Sequence, residues 1–130
     1  MILIDTHVVL WLALHPDRVS TRAAETIAQT RELKAEILVS TVSLYEIAVA
    51  STRNRIELDV TLPAFLQRVR EFFRIREIDH RIAIAAAGFM PPFPGDPMDR
   101  IIAATALTEG IPLVTADERI RRSGVVNTIW

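Results

Sequence analysis

Four carboxylates stand at the ends of apolar runs or at helix starts of this chain. Asp5 follows the run Met1–Ile4, and Glu46 comes shortly after Ile37–Ser40. Asp99 lies in GDPMDR, between Gly95 and Arg100, and Asp117 follows Leu113–Thr115. Each has a plain structural reading. Asp5 could cap a helix, and Ser43-Leu44-Tyr45-Glu46 matches a capping box, in which serine and glutamate satisfy each other's end of a first turn. The other reading takes the four together. In an open α/β sheet, strand ends and the helix starts that follow them border one crevice, outside the carboxyl ends of the strands. Acids crowded there raise one another's pKa, and a divalent cation removes that cost. Oxygen-only ligands, with no cysteine and no histidine motif, favour a hard ion, Mg²⁺ or Mn²⁺. Such an ion can activate water and neutralise charge on a phosphoryl group. The chemistry available to these residues is metal-assisted phosphoester hydrolysis.

Polar neighbours fit the same pattern. Asp96 reads as an N-cap and Pro97 as the first residue of the helix that carries Asp99. The positive end of that helix dipole suits an anionic substrate. Thr6, Ser43 and Thr115 read either as hydroxyls that orient the carboxylates or as ordinary helix and strand residues. His7, beside an apolar helix, reads as a packing or hydrogen-bonding residue rather than a metal ligand.

To gather these groups the chain must alternate strands with helices. Met1–Ile4 and Ile37–Ser40 read as buried strands of a parallel sheet. Arg74–Ile78 alternates charge with isoleucine, Leu113–Thr115 is a short apolar strand, and Gly124–Trp130 reads as a final edge strand. Helices are expected from a start at Thr6 through Val8–Leu14, from Ser20 or Thr21 to about Leu33, and from Ser43 onward. Further helices are expected over Leu62–Phe73, over Ile82–Ala87 behind a cap at Asp79, from Asp96 to Gly110, and over Glu118–Arg122. About five strands separated by helices make an α/β fold, a central mainly parallel sheet flanked by helices on both faces, with right-handed crossovers.

Composition bounds the rest. At 130 residues, half of them apolar, the chain is expected to form a single domain over 1–130 with a substantial core. A net charge of −1 excludes a global field that would draw it onto nucleic acid. Lys34 is its only lysine, and seven of the 14 arginines fall between Arg53 and Arg81. The absence of cysteine excludes disulfides and thiolate metal sites and suits a reducing cytosol. The start MILIDTHVVLWLAL carries Asp5 and His7 and no basic residue, so it reads as neither signal peptide nor membrane span. A cytoplasmic protein is expected.

Taken together, ILIDTHVVLW, TVSLYEIAV, GDPMDRIIAATAL and IPLVTADERI resemble the PIN-domain family, and in length and spacing its VapC toxins of bacterial toxin–antitoxin pairs. The pieces span nearly the whole chain in the family's order. The resemblance implies a divalent-metal-dependent endoribonuclease that cuts RNA of the translation machinery and is silenced by a co-expressed antitoxin. Products with 5′-phosphate and 3′-hydroxyl ends are implied too. By motif position the metal-binding acids would be Asp5, Glu46, Asp99 and Asp117, with Asp96 as cap and support. Under this reading Arg53, Arg55, Arg68 and Arg100 are candidates for phosphate contact, since the guanidinium fork matches phosphate, or else they line solvated faces. Arg100 is favoured for its place beside Asp99. Many relatives carry a histidine or basic residue just before the Asp-Pro pair, where this chain reads Pro92-Phe93-Pro94-Gly95.

A haloacid-dehalogenase-like phosphatase is a weaker reading, since that family needs an aspartate where His7 stands and a lysine between the motifs. A receiver domain lacks its lysine for the same reason. A catalytically inactive binding module, its four acids serving only as caps, is the non-enzymatic reading. A homodimer is expected, because the aromatic face of Leu62–Phe73 exceeds what a domain of this size can cover.

Overall fold

The computed structural model describes every residue from Met1 to Trp130. Five strands, β1 (Ile2–Ile4), β2 (Ile37–Ser40), β3 (Arg74–Arg76), β4 (Leu113–Val114) and β5 (Thr128–Ile129), form one sheet. Every pairing is parallel and the order is β3-β2-β1-β4-β5. Seven helices connect them: α1 (Thr6–Leu14), α2 (Thr21–Glu32), α3 (Thr41–Thr52), α4 (Leu62–Phe72), α5 (His80–Gly88), α6 (Pro97–Glu109) and α7 (Glu118–Ser123). A 3-10 turn, Pro16–Arg18, bridges α1 and α2.

Central strands covered on both faces must be apolar throughout, and β1, β2 and β4 are fully buried. Successive strand residues point to opposite faces, which splits the core in two. Leu3, Leu38 and Leu113 face a cluster built from Ile82 and Ala86 of α5, Ile102, Ala103 and Ala106 of α6, and Ile120 of α7. Ile2, Ile4, Ile37, Val39 and Val114 face the other, with Val8 and Val9 of α1, Ile27 of α2, Ile47 of α3, and Phe65 and Val69 of α4. The small residues of α6 let that helix lie close against its neighbours.

The order reverses at β1. From β1 the chain moves outward through β2 to β3, then crosses back by α5 and α6 to place β4 on the other flank of β1. Such a switch point opens a crevice between the carboxyl ends of the two diverging strands, here β1 and β4.

Helices α1 and α3 follow strand ends almost without linkers. Asp5, Ser20, Ser40, Thr61, Asp79, Asp96 and Asp117 each accept an amide of the helix they precede. Gly110, at φ +64°, ends α6 in the left-handed conformation that suits glycine. Helix α1 starts at Thr6 behind the cap Asp5, as expected. One helix boundary differs: α3 starts at Thr41 rather than Ser43, because the last residue of β2, Ser40, caps it through Val42 N–H at 3.3 Å. The edge strands β3 and β5, and β4 beside β5, are shorter than the runs that suggested them. No buried side-chain polar atom lacks a partner.

Candidate active site

Asp5 ends β1 and is 4% exposed. Both of its oxygens are engaged: Oδ1 accepts the Thr6 N–H at 2.7 Å, and Oδ2 accepts the Thr115 hydroxyl at 2.7 Å. Thr115 in turn accepts the Asp117 N–H at 3.1 Å, so this buried hydroxyl joins the end of β1 to the turn after β4. The cap and the crevice group are one residue, using different oxygens.

Glu46 is held from the neighbouring helix. The capping-box reading required it to reach back to the first turn of its own helix. With α3 starting at Thr41, Ser43 instead lies inside the first turn and is fully buried. Glu46 Oε1 accepts the Thr6 hydroxyl at 2.6 Å, and Thr6 Oγ1 is hydrogen-bonded to Ser43 Oγ at 2.8 Å. Thr6 thus fastens α1 to α3 and fixes the glutamate beside Asp5.

Asp96 caps α6 as expected, its Oδ1 accepting the amides of Met98 at 2.9 Å and Asp99 at 3.1 Å. Asp117 caps α7 with Oδ1, which accepts Arg119 N–H at 2.8 Å and Ile120 N–H at 3.3 Å. Its Oδ2 lies 3.8 Å from the Arg119 guanidinium, and Asp99 Oδ2 lies 3.8 Å from the same Nη2.

The electrostatics tie the acids into one group. Burial, and after it the charges of Asp96, Asp5, Asp117 and Glu46, push Asp99 up to about 7. Asp5 and Glu46 are also raised above the usual carboxylate range, burial again being the main cause in each. The Thr115 hydroxyl and the Thr6 amide partly offset this at Asp5, and the Thr6 hydroxyl does so at Glu46. No three acidic or histidine side chains stand close enough to form a closed metal cage. A hard ion such as Mg²⁺ does not require one, since it keeps several waters and takes only one or two carboxylates directly. An all-oxygen donor set, desolvated and short of positive charge, fits a hard divalent ion.

A groove of about 940 Å³ runs from this cluster over α1 and α3. Thr6, Glu46, Trp11 and Tyr45 are among the residues that line it. Arg53 and Arg55, two of the arginines expected near phosphate, line it, and so does Arg18, whose guanidinium lies 4.5 Å from the Trp11 ring centre. His7 also borders the groove, its ring 5.9 Å from that of Trp11.

The other two arginines lie elsewhere. Arg68 does not line the groove and is taken up by an ion pair, at 3.2 Å, with Asp59 on its edge. Arg100 is committed to the backbone: its guanidinium donates to Pro94 O at 3.1 Å, Phe89 O at 2.9 Å and Ala86 O at 3.3 Å. Consecutive helix residues point about 100° apart, so following Asp99 in sequence turns Arg100 away from it. Its fork braces the end of α5 and the proline loop against α6 instead of awaiting a phosphate. Arg119, which contacts two of the acids, was not singled out from sequence, although its place two residues after Asp117 is the signal for it.

The PIN-domain family model matches residues 2–125 of the chain. The chain belongs to the PIN-domain family. Over 131 aligned residues this PIN domain is 37% identical to Ribonuclease VapC22 of Mycobacterium tuberculosis (strain ATCC 25618 / H37Rv), covering 99% of the chain and 98% of that protein. Solved structures share its fold. VapBC2 from Rickettsia felis, bound to a promoter DNA fragment, matches with a TM-score of 0.70 at 16% identity, over 98% of this chain and 97% of that one. FitAcB from Neisseria gonorrhoeae matches with a TM-score of 0.63 at 21% identity, over 98% and 96%.

Proposed function

We propose that this PIN domain is a divalent-metal-dependent endoribonuclease, the toxin of a toxin–antitoxin pair, acting on tRNA or rRNA. The observation that carries the reading is the shared electrostatic field of Asp5, Glu46, Asp99 and Asp117 in a chain 37% identical to Ribonuclease VapC22. When bound, Mg²⁺ or Mn²⁺ would activate water for attack on the RNA phosphodiester and neutralise the charge that develops on phosphorus oxygens. The protein's own part is to hold four acids ready. Thr115 and the Thr6 amide fix Asp5, the Thr6 hydroxyl fixes Glu46, and the two caps, Asp96 and Asp117, fix the turns that carry Asp99 and Asp117 itself. Arg53 and Arg55 on the groove wall are suited to the phosphates that flank the cut.

The remaining parts of the reading follow the same line. Residues 1–130 act as one PIN domain, in the cytoplasm; no helix is long and apolar enough to cross a membrane. Its partner is a cognate antitoxin, as in the toxin–antitoxin complex from Klebsiella pneumoniae, whose fold matches with a TM-score of 0.70. It forms a homodimer, for which Phe72 of α4, 69% exposed, offers an apolar anchor. Sedimentation that finds only monomer at high micromolar concentration would contradict the dimer. The activity is tested on total cellular RNA: discrete fragments should form with Mg²⁺ or Mn²⁺, stop with EDTA and resume when the ion is restored. Cutting that EDTA leaves unchanged would overturn metal dependence.

A further inference from the structure

Among the groups around the acids, Arg119 has no task in holding the fold together. It is the second residue of α7 and its side chain is 69% exposed. Its guanidinium nevertheless lies between two carboxylates from different elements, Asp99 in the first turn of α6 and Asp117 after β4, with Nη2 3.8 Å from each. The other arginine of α7 that forms an ion pair behaves differently. Arg122 pairs with Glu118 one turn back on the same helix, the ordinary arrangement on a solvated face. Arg119 instead spans the mouth of the crevice.

The hydrogen bonds at the site explain why it does so. Asp5 and Glu46 each take a hydroxyl, and Asp117 takes two amides through Oδ1. Asp99 forms a single ion pair, and that pair is with Arg119. At 3.8 Å to both oxygens, the contact is one of charge rather than a directed hydrogen bond. A cation equidistant from Asp99 and Asp117 supplies those two acids with positive charge of the kind a divalent ion would bring. Its long, exposed side chain can leave without unfolding anything.

We propose that Arg119 is the resident counter-ion of the crevice, bridging Asp99 and Asp117 in the metal-free protein and displaced when a divalent cation binds. This rests on the metal-dependent reading given above. Metal binding must then break two charge contacts before it gains its own ligands. The arginine therefore weakens the apparent affinity for the ion, and its removal tightens it.

Calorimetric titration of Mn²⁺ into the full-length, metal-free protein tests this. Arg119→Gln should bind Mn²⁺ roughly 3- to 10-fold more tightly than the wild type, the range expected for losing two exposed charge pairs. Arg119→Lys, which keeps the charge, should stay near the wild type, and Asp99→Asn should bind far more weakly. Unchanged or weaker binding by Arg119→Gln, with the wild type binding normally, overturns the counter-ion role and leaves the metal site standing. No Mn²⁺ binding by any of the proteins overturns both. A second readout needs no variant: on Mg²⁺ addition the Arg119 Nε–H NMR signal should move toward that of free arginine, and a signal that stays put overturns the displacement.

Discussion

At the residue scale the site is a balance of burial against charge, and Asp99 shows it most plainly. Its carboxyl is raised from 3.8 to about 7 by burial and by four acidic neighbours. The unfolded chain therefore releases this proton at lower pH than the folded chain does. Between those values the folded state binds the extra proton, so the stability it confers is present below about 4 and is lost as pH rises through 7. Asp5 and Glu46, also raised, act in the same sense. Asp79 acts in the opposite sense, lowered by the Ile82 amide and Arg76, but its effect is complete above the ordinary carboxylate range. In EDTA, the wild type should thus resist denaturant better at pH 5 than at pH 7.5, and Asp99→Asn should narrow that difference. Equal slopes in the two proteins would contradict the crowding of Asp99. The placement of the acids beside strand ends and helix starts was legible in the sequence. The partners were less so. A serine three residues before a glutamate fits a capping box, yet Ser40 took the cap and left Glu46 to Thr6 of another helix.

At the element scale, strands and helices were legible in order and type, since buried parallel strands are unbroken apolar runs and each helix opens on an oxygen-bearing cap. What escaped was the seam between elements. Strand β2 passes into α3 with no linker, and a single residue, Ser40, serves both. The same limit applies to Arg100, whose neighbour in sequence is Asp99 but whose partners are the carbonyls of residues 86, 89 and 94. Arg100 is a brace between α6, α5 and the proline loop that leads to Asp96. Arg100→Ala should cost about 1–3 kcal/mol of stability, by stranding hydrogen-bonded carbonyls that are partly buried. Amide exchange over residues 86–95 should speed up in the same variant. Unchanged stability together with unchanged exchange there would contradict the brace.

At the scale of the whole molecule, the order β3-β2-β1-β4-β5 turns scattered acids into one crevice. Alternating strands and helices announce a parallel sheet, and such a sheet binds at its switch point, so the convergence of the acids could be anticipated from the fold class. Which strands lie side by side could not, because periodicity identifies strands without naming their neighbours. The groove was invisible for the same reason, as α1, α3 and the segment around Arg55 meet only in three dimensions. Arg119 also waits on the fold, because α6 and the turn after β4 come together there.

The most direct measurement compares the wild type with Asp99→Asn on total cellular RNA with Mg²⁺, at equal concentrations and with both proteins shown to be folded. If the four acids form a nuclease site, the wild type cuts discrete RNAs and the variant loses that cutting by a factor of at least about 100, as expected for removing a group central to transition-state charge stabilisation. Equal cutting by the two proteins would contradict the assignment of the site.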